Sequence, residues 1–308
     1  MTLRVVVVGL GVQGRKRAAV AGADVVATVD PTVADADYRS LDAVAPDSYD
    51  AAILCVPDAP KLALIQGLLA AGKAVMVEKP LLITPAEADA LAKIRGGLCY
   101  TAYNHRFEPH IVRVRDAVAR GDLGRIYRAR LFYGNGTARD VRASGWRDQP
   151  PGVLTDLGSH LLDMLDFVFG GWPTLSVWSA NRFENKAFDH MVVGGDPSGD
   201  LPMVELEMSL LSWRNHFVFE VYGERGSLHV ESLCKWGPST FTHRTRVLPS
   251  GRPSEEAVTL VQPDPTWALE YAHFKQCCAT GRGGDLARDA RISRALAALT
   301  DEALEASP

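Results

Sequence analysis

Val5-Val6-Val7-Val8-Gly9-Leu10-Gly11-Val12-Gln13-Gly14 decides the fold. Four β-branched residues in a row form a strand that is apolar on both faces, as strands covered by helices on both sides are. The chain then turns through a Gly-x-Gly-x-x-Gly spacing into a helix over Gly14–Ala21. Gly9 permits the tight turn, Gly11 lets a pyrophosphate approach the backbone, and Gly14 lets helix and strand pack closely, while Val12 and Gln13 complete the loop. Phosphate oxygens then meet the unpaired N–H groups at the helix start, aided by the helix dipole. Asp30 closes the next strand, where a carboxylate accepts both ribose hydroxyls of NAD. That charge repels a 2′-phosphate, and Pro31-Thr32-Val33 supplies no cation, so NAD is favoured over NADP. The competing reading makes the glycines a plain turn and Asp30 the cap of the following segment. Of Arg15, Lys16 and Arg17 in the first helix, one could contact a phosphate, and at least two read as solvated surface charge.

Working outward, strands over Leu3–Gly9, Val25–Asp30, Ala51–Val56, Ala74–Glu78 and Leu98–Tyr103 alternate with helices over 14–21, 59–71 and 85–95. A further helix is expected over Tyr38–Ala45. This rhythm means βαβ units and a parallel sheet. After residue 120 it changes. A helix over 109–120 precedes strands at Arg125–Tyr133, Leu175–Asn181, Met203–Leu210, His216–Tyr222, Ser227–Ser232, Thr240–Leu248 and Ala257–Val261. Helices are expected at Val153–Phe169, Thr266–Thr280 and Arg288–Ala306. Strands in a run suggest a mostly antiparallel sheet with helices on one face. The expected domains are therefore residues 1–120, a Rossmann dinucleotide-binding domain, and residues 121–308, a C-terminal α+β domain for substrate and oligomerisation.

The 308 residues carry a net charge of −4 without long runs of one sign, so no basic footprint for nucleic acid exists. No apolar run approaches membrane-spanning length, and the first residues read as strand rather than as a secretory signal. The five cysteines, Cys55, Cys99, Cys234, Cys277 and Cys278, are odd in number and lack paired metal-ligand spacing. Reduced thiols and a cytoplasmic location are expected.

Two further stretches carry chemistry. The fourth strand ends in Glu78-Lys79-Pro80, and a side chain at the carboxyl end of a parallel strand faces the ligand crevice. The Lys79 ammonium there can hydrogen-bond a substrate oxygen and favour its alkoxide-like form as hydride leaves. In Gly152-Val153-Leu154-Thr155-Asp156-Leu157-Gly158-Ser159-His160-Leu161-Leu162-Asp163, helical spacing puts Asp156, His160 and Asp163 on one face. Leu154, Leu157, Leu161, Leu165 and Val168 fill the core beside it. His160 is suited to take a hydroxyl proton. Asp156 and His160 are equally readable as a buried hydrogen-bonded pair. A metal site would need a third good ligand, which is not evident, so none is expected.

The Gly9–Gly14 loop, Cys55-Val56-Pro57, Glu78-Lys79-Pro80, Tyr103-Asn104-His105-Arg106-Phe107 and Asp156-Leu157-Gly158-Ser159-His160 occur in this order. Together they resemble the glucose–fructose oxidoreductase/inositol dehydrogenase/rhizopine-catabolism (Gfo/Idh/MocA) family, strongly to about residue 170. Tyr222-Gly223-Glu224-Arg225-Gly226-Ser227-Leu228 resembles a family strand turn. The resemblance implies a Rossmann domain followed by an open mixed sheet whose exposed face builds a homodimer or homotetramer. It implies that Lys79 contacts substrate hydroxyl and nicotinamide ribose, that His160 is the acid/base, and that Asp156 positions the reacting sugar. Val56, Pro57, Glu78, Asn104 and Arg106 match segments along the cofactor. Trp146-Arg147 resembles a substrate-side pair of sugar and nucleotide-sugar dehydrogenases, although Pro150-Pro151-Gly152 replaces the triple glycine that follows it there. His105, Trp178 and Trp213 are expected in packing or surface roles. The implied activity is hydride transfer between nicotinamide and a secondary alcohol or ketone of a sugar, polyol or nucleotide sugar. Rival readings are an NAD-assisted glycosidase with no net redox change and a dinucleotide-binding regulator without chemistry.

Overall fold

The computed structural model describes residues 3–94, 97–145 and 147–306. The chain forms two compact units, one of Met1–Asn104 with Thr266–Arg294, the other of His105–Pro265 with Ala295–Pro308. These differ from a division at residue 120: residues 109–119 fold with the second unit, and 266–294 with the first.

The first unit is built on β1 (Val5–Val8), α1 (Val12–Ala21), β2 (Val25–Val29), β3 (Ala51–Leu54), α2 (Asp58–Ala70), β4 (Ala74–Glu78), α3 (Pro85–Ala92) and β5 (Cys99–Ala102). The strands are all parallel, in the order β2-β1-β3-β4-β5. Because alternate residues face opposite sides, Val5, Val7, Ile53 and Met76 fill one core while Val6, Val8, Leu54, Val75 and Val77 fill another. Both faces are covered, which is why these strands are apolar throughout. Each fully buried Val or Leu contributes roughly 1.5–3 kcal/mol of transfer free energy.

The chain passes from β1 to β2 on one side and then to β3 on the other. That reversal is the switch point at which such sheets bind ligands. Since every strand runs the same way, Gly9, Asp30, Val56, Lys79 and Asn104 all emerge at one edge. The helix expected over Tyr38–Ala45 is absent; two short 3₁₀ turns, Leu41–Ala43 and Pro46–Ser48, stand there instead. The Ser40 hydroxyl accepts from the Asp42 N–H and Pro46 cannot donate, so local side-chain bonding displaces the helix.

The second unit holds α4 (Pro109–Ala119), β6 (Ile126–Gly134), α5 (Ala138–Arg142), α6 (Ser159–Phe169), β7 (Ser176–Asn181), β8 (His190–Gly195), β9 (Met203–Ser209), β10 (His216–Gly223), β11 (Gly226–Glu231), β12 (Ser239–Thr245) and β13 (Ser254–Leu260). Its sheet runs β13-β12-β11-β10-β6-β9-β8-β7, antiparallel except for β6 against β9. One face is core: Leu131, Tyr133, Val204, Leu206, Phe217 and Phe219 are buried. On the alternate positions Arg128 and Arg130 reach Glu205 at 2.7 and 3.1 Å. Phe169 of α6 meets Phe219 edge-on at 6.4 Å, so this helix lies on the apolar face. The remaining helices are α7 (Thr266–Thr280) and α8 (Leu286–Glu305). Tyr271, Phe274 and Cys277 of α7 pack into the first unit's core.

Strand β8 has no counterpart among the expected elements. The helix expected over Val153–Phe169 is also not uniform: Leu154–Gly158 forms a π-helical turn before α6 begins. The α-helical spacing used to align Asp156 with His160 therefore fails across that turn. The leucine pattern itself holds, with Leu154, Leu157, Leu161, Leu165 and Val168 all buried.

Candidate active site

At the sheet edge of the first unit, the three loop glycines do different work. Gly9 has φ +89°, and a Cβ there would collide with the Cys55 carbonyl. A Cβ on Gly14 would run into the Gly9 carbonyl oxygen. A Cβ on Gly11 would meet nothing within 4 Å. The fold therefore needs Gly9 and Gly14, whereas a side chain at Gly11 would point into open space, so packing does not require glycine there. Gly11 also caps α1 without a side-chain acceptor, which suits N–H groups that receive phosphate oxygens. Val12, 74% exposed, sits beside this space with Gln13, also exposed.

Asp30 is buried and anchors the loop. Its Oδ2 accepts from the Leu10 N–H at 2.8 Å, and its Oδ1 accepts from the Thr32 and Val33 N–H groups at 2.9 and 3.0 Å and from the Thr32 hydroxyl. Desolvation pushes its pKa up, but the hydrogen-bond donors outweigh it and hold the carboxyl down at about 2. Asp30 thus caps its own segment, and an Oδ2 with one donor still has capacity for a ribose hydroxyl. Val56 is half-buried and Pro57, exposed, caps α2.

Glu78 and Lys79 follow from β4. The Glu78 carboxylate accepts from Arg17 Nε at 2.6 Å, and Arg17 Nη1 reaches Glu270 at 2.7 Å. Burial alone would lower the Arg17 pKa, yet Glu270 and Glu78 hold it raised. Arg15 and Lys16 are exposed, and Arg15 pairs with Asp35. Of the three basic residues in α1, two are therefore surface charges and one is an interior ion pair. Lys79 is half-buried. The buried Asn104 amide donates to Thr266 Oγ1 at 2.7 Å.

The second unit holds a cluster around His160, which is 8% exposed. The His105 ring lies against it with centroids 4.1 Å apart, and Tyr133 lies 6.0 Å away. Lys235 Nζ donates to Tyr133 Oη at 2.8 Å and to His105 Nε2 at 3.2 Å. An ammonium only donates, so His105 Nε2 is the accepting nitrogen in this contact. Burial, then Asp156 and Asp264, pushes the Tyr133 phenol pKa up, keeping it protonated.

Asp156 takes Arg147 Nη2 at 3.4 Å, with 40% of its side chain exposed. Trp146 lies outside the described residues. Arg106, expected along the cofactor, is committed to Asp163 at 2.8 Å and Asp166 at 3.4 Å on α6. The reason is that Asp163 is 1% exposed and a buried carboxylate needs a counter-charge. Among the described residues no cluster of three or more His, Cys, Asp or Glu could hold a metal, and no helix is long and apolar enough to cross a membrane.

Sequence reasoning missed Lys61, Tyr133 and Lys235, read Arg17 only as a phosphate contact or surface charge, and gave His105 only a packing role. His105 stood inside a quoted motif, and Tyr133 was visible as an inward position of β6. Nothing in the sequence marked Lys235 except a cation between Cys234 and Trp236.

Residues 3–96 match the model of an oxidoreductase family with an NAD-binding Rossmann fold, and residues 111–229 match the Gfo/Idh/MocA C-terminal domain. The chain belongs to the Gfo/Idh/MocA oxidoreductase family. Among relatives of this Gfo/Idh/MocA protein, inositol 2-dehydrogenase of Rhizobium meliloti (strain 1021) is 27% identical over 264 residues, covering 75% of this chain and 76% of that one. Trans-1,2-dihydrobenzene-1,2-diol dehydrogenase of Bos taurus is 33% identical over 127 residues, covering 40% of this chain; the match spans only 38% of that relative's length. An inositol dehydrogenase homologue from Azotobacter vinelandii, solved with NADH and myo-inositol, shares the fold at TM-score 0.78 and 19% identity, over 99% of this chain and 96% of that one. The paired family matches make this Gfo/Idh/MocA protein an oxidoreductase with an NAD(P)-binding Rossmann fold.

Proposed function

We propose that this Gfo/Idh/MocA oxidoreductase is a dehydrogenase of secondary alcohols on a sugar, polyol or nucleotide sugar, working with NAD in preference to NADP. The observation that carries the reading is the sheet edge itself: the space left open at Gly11, the ionised Asp30 and Lys79 all lie at the carboxyl ends of parallel strands. The first unit would bind the dinucleotide on Gly9, Gly11, Val12, Gln13, Gly14 and Asp30, with Val56, Pro57, Glu78 and Asn104 along it. The second would carry substrate-side groups.

When bound, the nicotinamide accepts or returns the hydride. The chain's own residues do the rest. The Lys79 ammonium donates to the substrate oxygen and stabilises charge developing on it. His160 removes or returns the hydroxyl proton, with the His105 ring packed against it. Asp156, half-exposed and bridged to Arg147, accepts from a second substrate hydroxyl. The relatives' named substrates, inositol and a dihydrodiol, both carry vicinal hydroxyls, which such a pair of groups suits. A homodimer or homotetramer and a cytoplasmic site of action belong to the same proposal, the latter supported by five unpaired thiols.

The test is fluorescence titration with NADH and NADPH, followed by turnover of inositols, simple sugars and nucleotide sugars. Tenfold tighter NADH binding and polyol- or sugar-dependent NAD reduction are expected. No dinucleotide binding, or no turnover across the panel, would overturn the reading.

A further inference from the structure

Lys61 lies in the first turn of α2, yet its side chain is only 4% exposed. Its ammonium donates to the Glu78 carbonyl at 2.9 Å, to the Pro80 carbonyl at 2.9 Å and to Asp58 Oδ1 at 2.7 Å. An ammonium has three N–H donors, and these oxygens take all three. The two carbonyls flank a single residue, Lys79.

Helix stability does not account for this placement. A cation in the first turn opposes the helix dipole, and burying one costs free energy that an apolar side chain of similar length would avoid. What the ammonium supplies is directional: it fixes the main chain immediately before and immediately after Lys79. Arg17, from α1, holds the same tripeptide by the Glu78 carboxylate. Cations from two helices thus converge on one short segment at the strand ends, and the residue between their contacts is Lys79, whose ammonium is the one proposed to act on substrate.

We infer that Lys61 is a positioning residue for Lys79, setting the direction of the catalytic ammonium by pinning the carbonyls of Glu78 and Pro80. The inference rests on the role proposed for Lys79. It adds that a buried side chain without substrate contact controls turnover. Displacement of a reacting group by about 1 Å costs on the order of a hundredfold in rate, so loss of the anchor acts on kcat. Dinucleotide affinity, set at Gly9–Gly14 and Asp30, stays near the parental value.

The test joins crystallography to a double-mutant cycle, using the full chain, NAD and whichever of myo-inositol, glucose or UDP-N-acetylglucosamine the parent turns over fastest. In Lys61→Met the main chain at Glu78–Pro80 should shift by more than about 0.5 Å, the tolerance within which reactive groups must be held. Its kcat should fall roughly 10- to 100-fold while the NADH dissociation constant changes less than about threefold. Lys61→Arg, which keeps charge and donors, should restore most of the lost kcat. Adding Lys61→Met to Lys79→Ala should lower kcat no further, because the anchor acts through an ammonium already gone; general destabilisation would instead multiply the two losses.

An unmoved backbone, a Lys61→Met kcat within threefold of the parent, or multiplying losses would each overturn the inference. Should Lys61→Met fail to fold, Asp58→Asn, which changes the exposed partner of Lys61, should lower kcat about threefold, again without adding to Lys79→Ala; an unchanged kcat would overturn it. Parental turnover in Lys79→Ala is a different failure. It would remove the proposed role of Lys79, while the crystal structure would still report whether Lys61 holds the segment.

Discussion

Asp30 and Asp156 are both carboxylates at the start of a site, and the protein treats them in opposite ways. Asp30, in the first unit, is buried, receives three donors from its own loop and a fourth from Leu10 of the glycine loop, and is held near pKa 2. Asp156, in the second, leaves 40% of its side chain in solvent and has Arg147 at 3.4 Å. A carboxylate filled by backbone N–H groups is chiefly scaffold: it orders the loop and presents a permanent negative charge. A carboxylate with two-fifths of its side chain in solvent and a guanidinium as far as 3.4 Å is adaptable, and that contact can give way to a substrate hydroxyl. On the proposed reading, the cofactor side is therefore pre-built at Asp30, and the substrate side is adjustable at Asp156.

The largest expected effects fall on the two groups proposed for the chemistry, one from each unit. His160→Ala and Lys79→Ala should each lower kcat by about two orders of magnitude or more in steady-state assays, since positioned acid–base groups contribute roughly 10²–10⁴-fold. Near-parental turnover in both would remove the catalytic assignment. On the pre-built side, Gly14→Ala should destabilise the fold by about 3 kcal/mol or more in urea titration, because the added methyl meets backbone that cannot move aside. Gly11→Ala should leave the unfolding midpoint near parental and weaken NADH binding at least tenfold. Equal stability losses in the two would show that Gly11 is structural and that its open space is not the cofactor's.

Asp30→Asn should cost about 2 kcal/mol at neutral pH, the scale of hydrogen bonds to a charged group, and should narrow the preference for NADH over NADPH. The pH dependence has a fixed sign. The folded carboxyl lies near 2, below its ordinary 3.8, so its contribution is full above 3.8 and is lost as pH falls toward 2. The parent's stability should fall more steeply than that of Asp30→Asn over this interval in acid-unfolding curves. The smallest effect sharpens the contrast: Asp156→Asn should change stability by no more than about 0.5 kcal/mol while lowering kcat/KM at least tenfold. A large stability loss there would make Asp156 a second scaffold carboxylate.

The first unit was legible because its signals are local. A strand, a glycine turn and a helix follow one another within a few residues, and fully covered parallel strands declare themselves by unbroken apolar runs. The second unit was legible in part. Alternation revealed β6, β9, β10 and β11, but β8 carries only Met191-Val192-Val193 before two glycines, too short a run to stand out from loop. The parallel pairing of β6 with β9 joins residues 75 positions apart, as Arg128 with Met203, and leaves no mark in either. At the π-helical turn of Leu154–Gly158 the chain departs from the spacing on which helical reading depends.

By itself the sequence determined the dinucleotide fold, the strand edge that carries Lys79 and the candidate acid/base His160, because each depends on neighbours along the chain. Tertiary structure alone decided the fate of the charges. Arg15, Lys16 and Arg17 are adjacent and chemically alike, yet only Arg17 meets Glu78 and, 253 positions away, Glu270. Lys61 becomes an anchor, and Lys235 a partner of Tyr133 and His105, for the same reason. The free energy of a charge depends on what surrounds it in space, and burial and pairing are set by segments that meet only once the chain has folded.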